Sequence, residues 1–164
     1  MATKHISPLT DAANAVFVRQ QDDYSCGAAC LATVARIYDV TGADYDRLRN
    51  ELLPDPSVGT SNADMETVSR RYLPVTSAGE RSYTGGIAIA NILEDEGHYV
   101  VFLCRERDQV IYYDPYDHAL VQDDIKNIRW VSEAEKSQEW AINFPPLAGN
   151  SIRKWQMTLP KAGP

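Results

Sequence analysis

A cysteine at the predicted start of a helix is the residue in this chain best suited to chemistry. Polar, turn-forming residues end at Ser25, and small or apolar residues at helical spacing follow from Gly27 onward, so the sequence predicts a buried helix that begins at Cys26. The unpaired backbone N–H groups and the positive end of the helix dipole there favour the thiolate, the nucleophilic form of cysteine. Because free cysteines are also common as small buried residues, this stretch leaves a nucleophile and a core residue as open interpretations.

A histidine and an aspartate further along the chain are spaced to meet across a β-hairpin. His98 opens the apolar run 99–103, and Asp114 closes the run 110–113. A turn centred on Glu106, in a polar stretch, places His98 and Asp114 directly opposite each other on one face of the hairpin. A carboxylate in that position accepts the imidazole N–H, fixes the tautomer and raises the basicity of the ring. A surface histidine and an ordinary Asp-Pro turn would explain the same two residues without any chemistry.

The elements that would position these residues are helices in the first half of the chain and strands in the second. The first helix closes at Thr41 and Gly42, and the pattern predicts two more amphipathic helices, over 44–53 and 62–72. Strands are predicted over 16–18, 87–93, 99–103, 110–113 and 119–121. This order predicts an α+β fold, with N-terminal helices packed on an antiparallel β-meander.

The 164 residues are enough for one domain with its own hydrophobic core. We expect an N-terminal arm over 1–15, loosely attached to the rest. The main domain is predicted over 16–131. The C-terminal segment over 132–164, a helix to residue 140 followed by an extended tail, is expected to pack on that domain.

Composition and charge exclude several classes of function. The net charge is −7 and no run of Lys and Arg of the kind that neutralises phosphates occurs, so we expect no nucleic acid partner and favour peptide or protein ligands. The sequence has no apolar segment long enough for a signal peptide or a membrane span. Its 3 cysteines cannot all pair, and their spacing is poor for a zinc site. We therefore expect a cytoplasmic protein with reduced thiols, no metal and no cofactor.

The chain order of cysteine, histidine and aspartate, with the cysteine on an early helix and the others on a later sheet, is that of papain-like thiol proteases. The stretches 20–32, 97–101 and 113–115 together resemble the bacteriocin-processing, double-glycine cysteine peptidases. In that family the domain usually lies at the N-terminus of an ABC transporter and removes leader peptides after Gly-Gly. The resemblance runs from about residue 17 to residue 121 and implies a papain-like fold.

The resemblance also implies roles for four residues. Cys26 becomes the nucleophile, His98 the general base and acid, and Asp114 the carboxylate that orients the imidazole. Gln20 becomes the oxyanion-hole donor, because a side-chain amide and the backbone N–H of Cys26 can together meet the oxygen that turns negative during attack. Gln21 remains a competitor for that role.

The implied substrate is a polypeptide cut after a Gly-Gly pair, selected by walls that leave no room for side chains before the cut. Tyr24 and Tyr99 are candidate walls, although core packing would explain either tyrosine as well. Because no transporter sequence follows, we expect either a maturation protease for leader peptides or an antibacterial effector. The effector would be delivered into another cell by a contact-dependent secretion machine and paired with a cognate inhibitor. A non-catalytic peptide-docking module and a thiol amidase are also compatible with these residues.

Overall fold

The computed structural model describes residues 4–9, 15–56, 59–94, 96–130 and 139–147. These residues contain three α-helices: α1 (Cys26–Ile37), α2 (Tyr45–Leu52) and α3 (Asn62–Tyr72). They also form one seven-stranded sheet: β1 (His5–Pro8), β2 (Ser77–Glu80), β3 (Ala88–Glu94), β4 (Glu96–Glu106), β5 (Gln109–Asp114), β6 (Ala119–Asp124) and β7 (Trp140–Asn143). The strand order is β1-β6-β5-β4-β3-β7-β2, and the recorded pairings are antiparallel. The predicted α+β, papain-like class is confirmed.

Helix α1 begins at Cys26, as the sequence predicts, but it ends at Ile37 rather than at Thr41. The cause is local. Asp39 adopts the left-handed backbone conformation with φ 54°, and the backbone N–H of Val40 returns to the carbonyl of Ala35 at 2.8 Å. A left-handed residue just after a helix closes its last turn by such a return bond.

Helices α2 and α3 lie within the predicted ranges, and each is capped by a short polar side chain. Asp44 accepts a hydrogen bond from the backbone N–H of Arg47 at 2.9 Å, and Ser61 accepts one from Asp64 at 3.1 Å. These contacts satisfy backbone donors that the first turn of a helix leaves unpaired.

The predicted meander is formed by β3, β4, β5 and β6. β3 has the predicted length and is shifted by one residue, whereas β4, β5 and β6 are longer than predicted. The short strand predicted over 16–18 is not formed. Side chains hold that segment instead: the Val18 backbone N–H donates to Thr33 Oγ1 at 3.0 Å, and Tyr113 donates its hydroxyl hydrogen to the Val18 carbonyl at 2.8 Å. These bonds connect the segment to α1 and to β5 without a ladder.

Strands β1, β2 and β7 were not predicted. Strand β1 comes from the arm expected over 1–15, and it pairs with β6 at the edge of the sheet. Strand β7 lies between β3 and β2, so the sheet takes a strand from beyond residue 131, the predicted end of the main domain. Residues 131–138 and 148–164, which carry most of the predicted C-terminal helix and tail, lie outside the described residues.

The sheet has apolar residues packed on both of its faces. One cluster joins the helices to the sheet and includes Leu31, Leu48, Met65 and Ile142, all 0% exposed. A second cluster, which includes Phe102 and Tyr112, is formed by sheet residues together with the segment that follows β6. Fully burying one such side chain contributes about 1.5–3 kcal/mol, so the helical layer is held firmly against the sheet. Among the described residues, no helix has the length and hydropathy needed to cross a bilayer.

Candidate active site

Cys26 occupies the first position of α1, and the residue is 9% exposed. Gly27 follows it, and a Cβ atom built on that glycine would lie 2.7 Å from Met65 Sδ and 3.6 Å from the ring of Tyr99. The missing side chain therefore lets α3 and β4 pack closely against the first turn of α1. That packing fixes the end of the helix that carries the sulfur.

His98 is in contact with both Asp114 and Cys26. Its Nε2 atom lies 2.8 Å from Asp114 Oδ1, and the two side chains are 14% and 5% exposed. A hydrogen bond also joins the side chain of His98 to that of Cys26. Burial lowers the pKa of His98, but the bonds and charges of Asp114 and Cys26 outweigh burial and raise it to about 10. The imidazole is thus held between a thiol and a carboxylate.

Asp114 is held as a carboxylate by the turn that follows it. Burial raises its pKa, but the hydrogen bond and charge of His98 and the backbone N–H groups of Tyr116 and Asp117 bring the pKa below its ordinary value. The Tyr116 N–H donates to Oδ1 at 2.9 Å. An aspartate at the start of a turn commonly accepts such a bond from the backbone two residues on. The same turn therefore fixes the orientation of this side chain.

The predicted register of the hairpin is wrong, although His98 and Asp114 do meet. Glu106 pairs with Gln109, so the turn consists of Arg107 and Asp108 and is not centred on Glu106. Arg107 adopts a left-handed conformation with φ 56°, as two-residue hairpin turns often require. His98 and Asp114 are consequently not directly opposite each other.

The other two cysteines lie in surroundings that favour the neutral thiol. Cys30 is 0% exposed, and burial together with the charges of Cys26 and Asp114 raises its pKa well above its usual value. Burial and the charge of Glu106 also raise the pKa of Cys104. All three cysteines are free. Within the part of the chain that the structure describes, no group of three or more His, Cys, Asp or Glu residues is placed to hold a metal ion.

Gln20 and Gln21 have very different surroundings. Gln20 is 7% exposed, its backbone N–H donates to the Pro115 carbonyl at 3.1 Å, and its Nε2 donates to the Asp22 carbonyl at 2.7 Å. Gln21 is exposed, and its backbone N–H donates to the hydroxyl of Tyr45 at 3.2 Å. Burial next to the turn after Asp114 favours Gln20 over Gln21 as the oxyanion-hole donor, although Gln20 does not line the cleft beside Cys26.

A small cleft of about 100 Å³ opens beside the sulfur and the imidazole. Tyr24 and Tyr99, the two candidate walls, are both among the residues that line it. Tyr99 is 3% exposed, and its hydroxyl lies 2.6 Å from Asn62 Oδ1 and 2.9 Å from the Thr60 carbonyl. The cleft therefore has one wall that is rigidly held.

Two asparagines that the sequence motifs do not single out lie near this wall. Asn91 lines the cleft from β3, and its Nδ2 donates to Asn62 Oδ1 at 3.0 Å. Asn91 is 7% exposed and Asn62 is 6% exposed. The available signal was the asparagine within the apolar run 87–93, because a polar residue in a buried strand needs a polar partner.

Comparison with known proteins agrees with the fold. The family model described as the peptidase C39 family matches residues 14–143. Among solved structures, the chain is similar to the peptidase domain of Streptococcus ComA, a bi-functional ABC transporter involved in a quorum sensing pathway. That match has a TM-score of 0.50 and 21% identity, and it covers 81% of this chain and 99% of the ComA domain. None of the curated proteins matches the chain.

Proposed function

Because the chain belongs to the peptidase C39 family of cysteine peptidases, we propose that Cys26, His98 and Asp114 form its catalytic triad. The observation that carries the proposal is the position of the His98 imidazole, which is hydrogen-bonded to Cys26 and has its Nε2 atom 2.8 Å from Asp114 Oδ1. A nucleophile, a base in reach of it and a third group that orients the base are the requirements for activated-thiol catalysis.

In this mechanism the Cys26 thiolate attacks the carbonyl carbon of the scissile peptide bond, and the carbonyl oxygen takes the negative charge. His98 gives a proton to the leaving amine, the C–N bond breaks, and the acyl group stays on Sγ as a thioester. His98 then takes a proton from water, which attacks the thioester and releases the second product. Asp114 keeps the imidazole oriented and stabilises its protonated form.

The oxyanion is stabilised by the backbone N–H of Cys26 and by a side-chain N–H of Gln20. Helix α1 starts at Cys26, where backbone N–H groups have no partner within the helix. The Nε2 atom of Gln20 carries two hydrogens, one of which is directed at the Asp22 carbonyl. One such donor is worth about 2.7–4 kcal/mol of the barrier.

The proposed substrate is a polypeptide with glycine at the two positions before the cut. A cleft of about 100 Å³ between Tyr24 and Tyr99 suits a peptide backbone without side chains. Selection for a missing side chain has to act by excluding larger residues. This specificity agrees with that of the double-glycine family to which the chain belongs.

Two biological roles are compatible with this chemistry, and we propose the removal of double-glycine leader peptides as the first of them. Cleavage of folded proteins in a competing cell, with a cognate inhibitor as partner, is the second. The three free cysteines favour a reducing compartment such as the cytoplasm for the reaction. A docking module would bind the same peptides and leave them intact, and an amidase would spare linear peptides.

The deciding experiment incubates a Gly-Gly-containing peptide with the wild type and with Cys26→Ala, and identifies the products by mass. The proposal requires a product that ends in Gly-Gly with the wild type alone. A terminal-labelling digest of a bacterial lysate then separates the two roles. New termini in short leader peptides support maturation, and new termini in a few large folded proteins support an effector. Termini that do not follow Gly-Gly contradict the proposed specificity.

A further inference from the structure

The loop from Gln20 to Ser25, which leads into the first turn of α1, is fastened to α2 by one arginine. Arg49 approaches Asp22 Oδ2 with Nε at 3.0 Å and with Nη2 at 2.9 Å. The same Nη2 donates to the hydroxyl of Tyr24 at 3.0 Å, and the guanidinium carbon lies 5.5 Å from the centre of the Tyr24 ring. A planar guanidinium can make these contacts at once, which an ammonium group cannot.

Asp22 also forms hydrogen bonds with two residues of the loop that precedes Cys26. Its carbonyl accepts the 2.7 Å hydrogen bond from Gln20 Nε2, and its Oδ1 accepts the Tyr24 backbone N–H at 3.1 Å. The position of Asp22 therefore fixes the carboxamide of Gln20 and the backbone from which the Tyr24 side chain extends. Both Gln20 and Tyr24 are assigned roles in the proposed reaction.

The Arg49–Asp22 pair is less exposed than the ion pair on α3. Its side chains are 33% and 23% exposed, whereas those of Arg70 and Glu66 are 50% and 38% exposed. Burial raises the pKa of Asp22, but hydrogen bonds from Ser25, the Tyr24 backbone and Arg49 outweigh burial and bring the pKa below its ordinary value. The carboxylate is thus ionised and satisfied from several sides.

We propose that Arg49 is a positioning residue for the peptidase reaction, acting through Asp22 to hold the Gln20 carboxamide at the oxyanion and the Tyr24 ring at the cleft. The inference rests on the proposed function, since it assigns Arg49 a role only through those two side chains. Arg49 itself does not line the cleft. Its effect on kcat must therefore disappear when Gln20 is removed.

A double-mutant cycle tests the inference by comparing Arg49→Ala, Gln20→Ala and the double variant. Removing an oxyanion donor lowers kcat by about 10²–10³-fold. Displacing the donor should lower kcat less than removing it does. We therefore expect Arg49→Ala to lower kcat by about tenfold in the wild type, and to have no further effect on kcat when it is added to Gln20→Ala. KM should rise in Arg49→Ala through Tyr24. Arg49→Lys keeps the positive charge but lacks the planar guanidinium, so it should recover only part of kcat.

The matched control is Arg71→Ala, because Arg71 pairs with Glu51 at 3.3 Å and joins α3 to α2 without reaching the loop. It should leave kcat unchanged. Asp22→Asn is the second variant: it removes the charge with little change in size, so it tests the same link if Arg49→Ala does not fold.

Additive losses in the cycle, or full activity in both Arg49→Ala and Asp22→Asn, would overturn the role of Arg49 and leave the Cys26–His98–Asp114 proposal intact. Full activity in Gln20→Ala would overturn the oxyanion assignment together with this inference, whereas activity in Cys26→Ala would overturn the proposed function itself.

Discussion

His98 and Asp114 are joined by a 2.8 Å hydrogen bond although they are two positions out of register in the ladder between β4 and β5. The register pairs Val101 with Tyr113, so continuing it by one step places Asp114 beside Val100. Diagonal neighbours on paired strands are within reach of long side chains. The imidazole therefore spans the offset.

A β-bulge between Phe102 and Cys104 shifts the register of β4 against β5. Near the turn, Cys104 pairs with Ile111, and beyond the bulge Phe102 pairs with Tyr112. Continued without the bulge, the first register would pair Asp114 with Val101, three positions from His98. The extra residue in β4 places Asp114 one position closer to His98, and bulges are common next to active sites.

The first prediction concerns the nucleophile and the base. Cys26→Ala and His98→Ala should each lower peptidase activity by about 10³-fold or more, because the thiolate and the imidazole act as a unit. Cleavage of a Gly-Gly peptide, read by mass, measures the loss. Cys30→Ser and Cys104→Ser are the matched controls and should stay active, since both thiols are kept neutral by burial. Faster labelling of Cys104 than of Cys26 by iodoacetamide, with an active Cys26→Ala, would contradict the assignment.

The second prediction concerns the orienting carboxylate. The kcat of Asp114→Ala should be about ten- to a hundredfold higher than that of His98→Ala, because Asp114 orients the base and is not itself the base. Steady-state kinetics of the two variants on one peptide measure the difference. Equal losses in properly folded variants would mean that Asp114 does more than orient His98.

The third prediction is a pH dependence of stability. The His98 pKa rises from 6.5 to about 10 on folding, so its contribution is complete below pH 6.5 and is lost as the pH rises towards 10. The Asp114 pKa falls below 3.8 on folding, so its contribution is present above that pH and is lost in stronger acid. We expect the difference in free energy of unfolding between wild type and Asp114→Asn to be largest between these limits. Denaturant titrations across the range measure it, and a difference that grows above pH 6.5 would contradict the linkage.

The fourth prediction concerns the packing of the first turn of α1. Gly27→Ala should destabilise the fold by about 1 kcal/mol, because a clash in a packed core costs about 1–3 kcal/mol and the helix gains about 1 kcal/mol from alanine. The new Cβ would lie 2.7 Å from Met65 Sδ. Thermal or denaturant unfolding measures the change. Gly27→Ala should cost less in a chain that already carries Met65→Ala, and strictly additive losses would argue against this contact.

The fifth prediction concerns specificity. Tyr24→Ala should let the enzyme accept alanine in place of glycine just before the cut, because removing the ring widens the cleft. Ratios of kcat/KM for paired Gly-Gly and Gly-Ala peptides measure the change. Tyr24→Phe keeps the ring and should keep the preference for glycine. An unchanged ratio in Tyr24→Ala would remove Tyr24 from the walls.

The sequence by itself determined the start of α1, the positions of α2 and α3, and the four strands of the meander. These elements are strongly periodic and bounded by capping and turn residues, so local physics is sufficient for them. It also singled out Cys26, His98 and Asp114. A thiol at a helix start depends only on local structure, and the spacing of the other two was close enough to the true register to bring them together.

Only the tertiary structure decided the register of β4 and β5, the strands β1, β2 and β7, and the surroundings of Gln20. The bulge has no local signal in the run 99–106, because it depends on how two strands pair along their whole length. Strands of 4 residues gain their stability from partners far along the chain, which a local pattern does not contain. The anchorage of Asp22 by Arg49 joins residues 27 positions apart, and it exists only because α2 packs beside the loop.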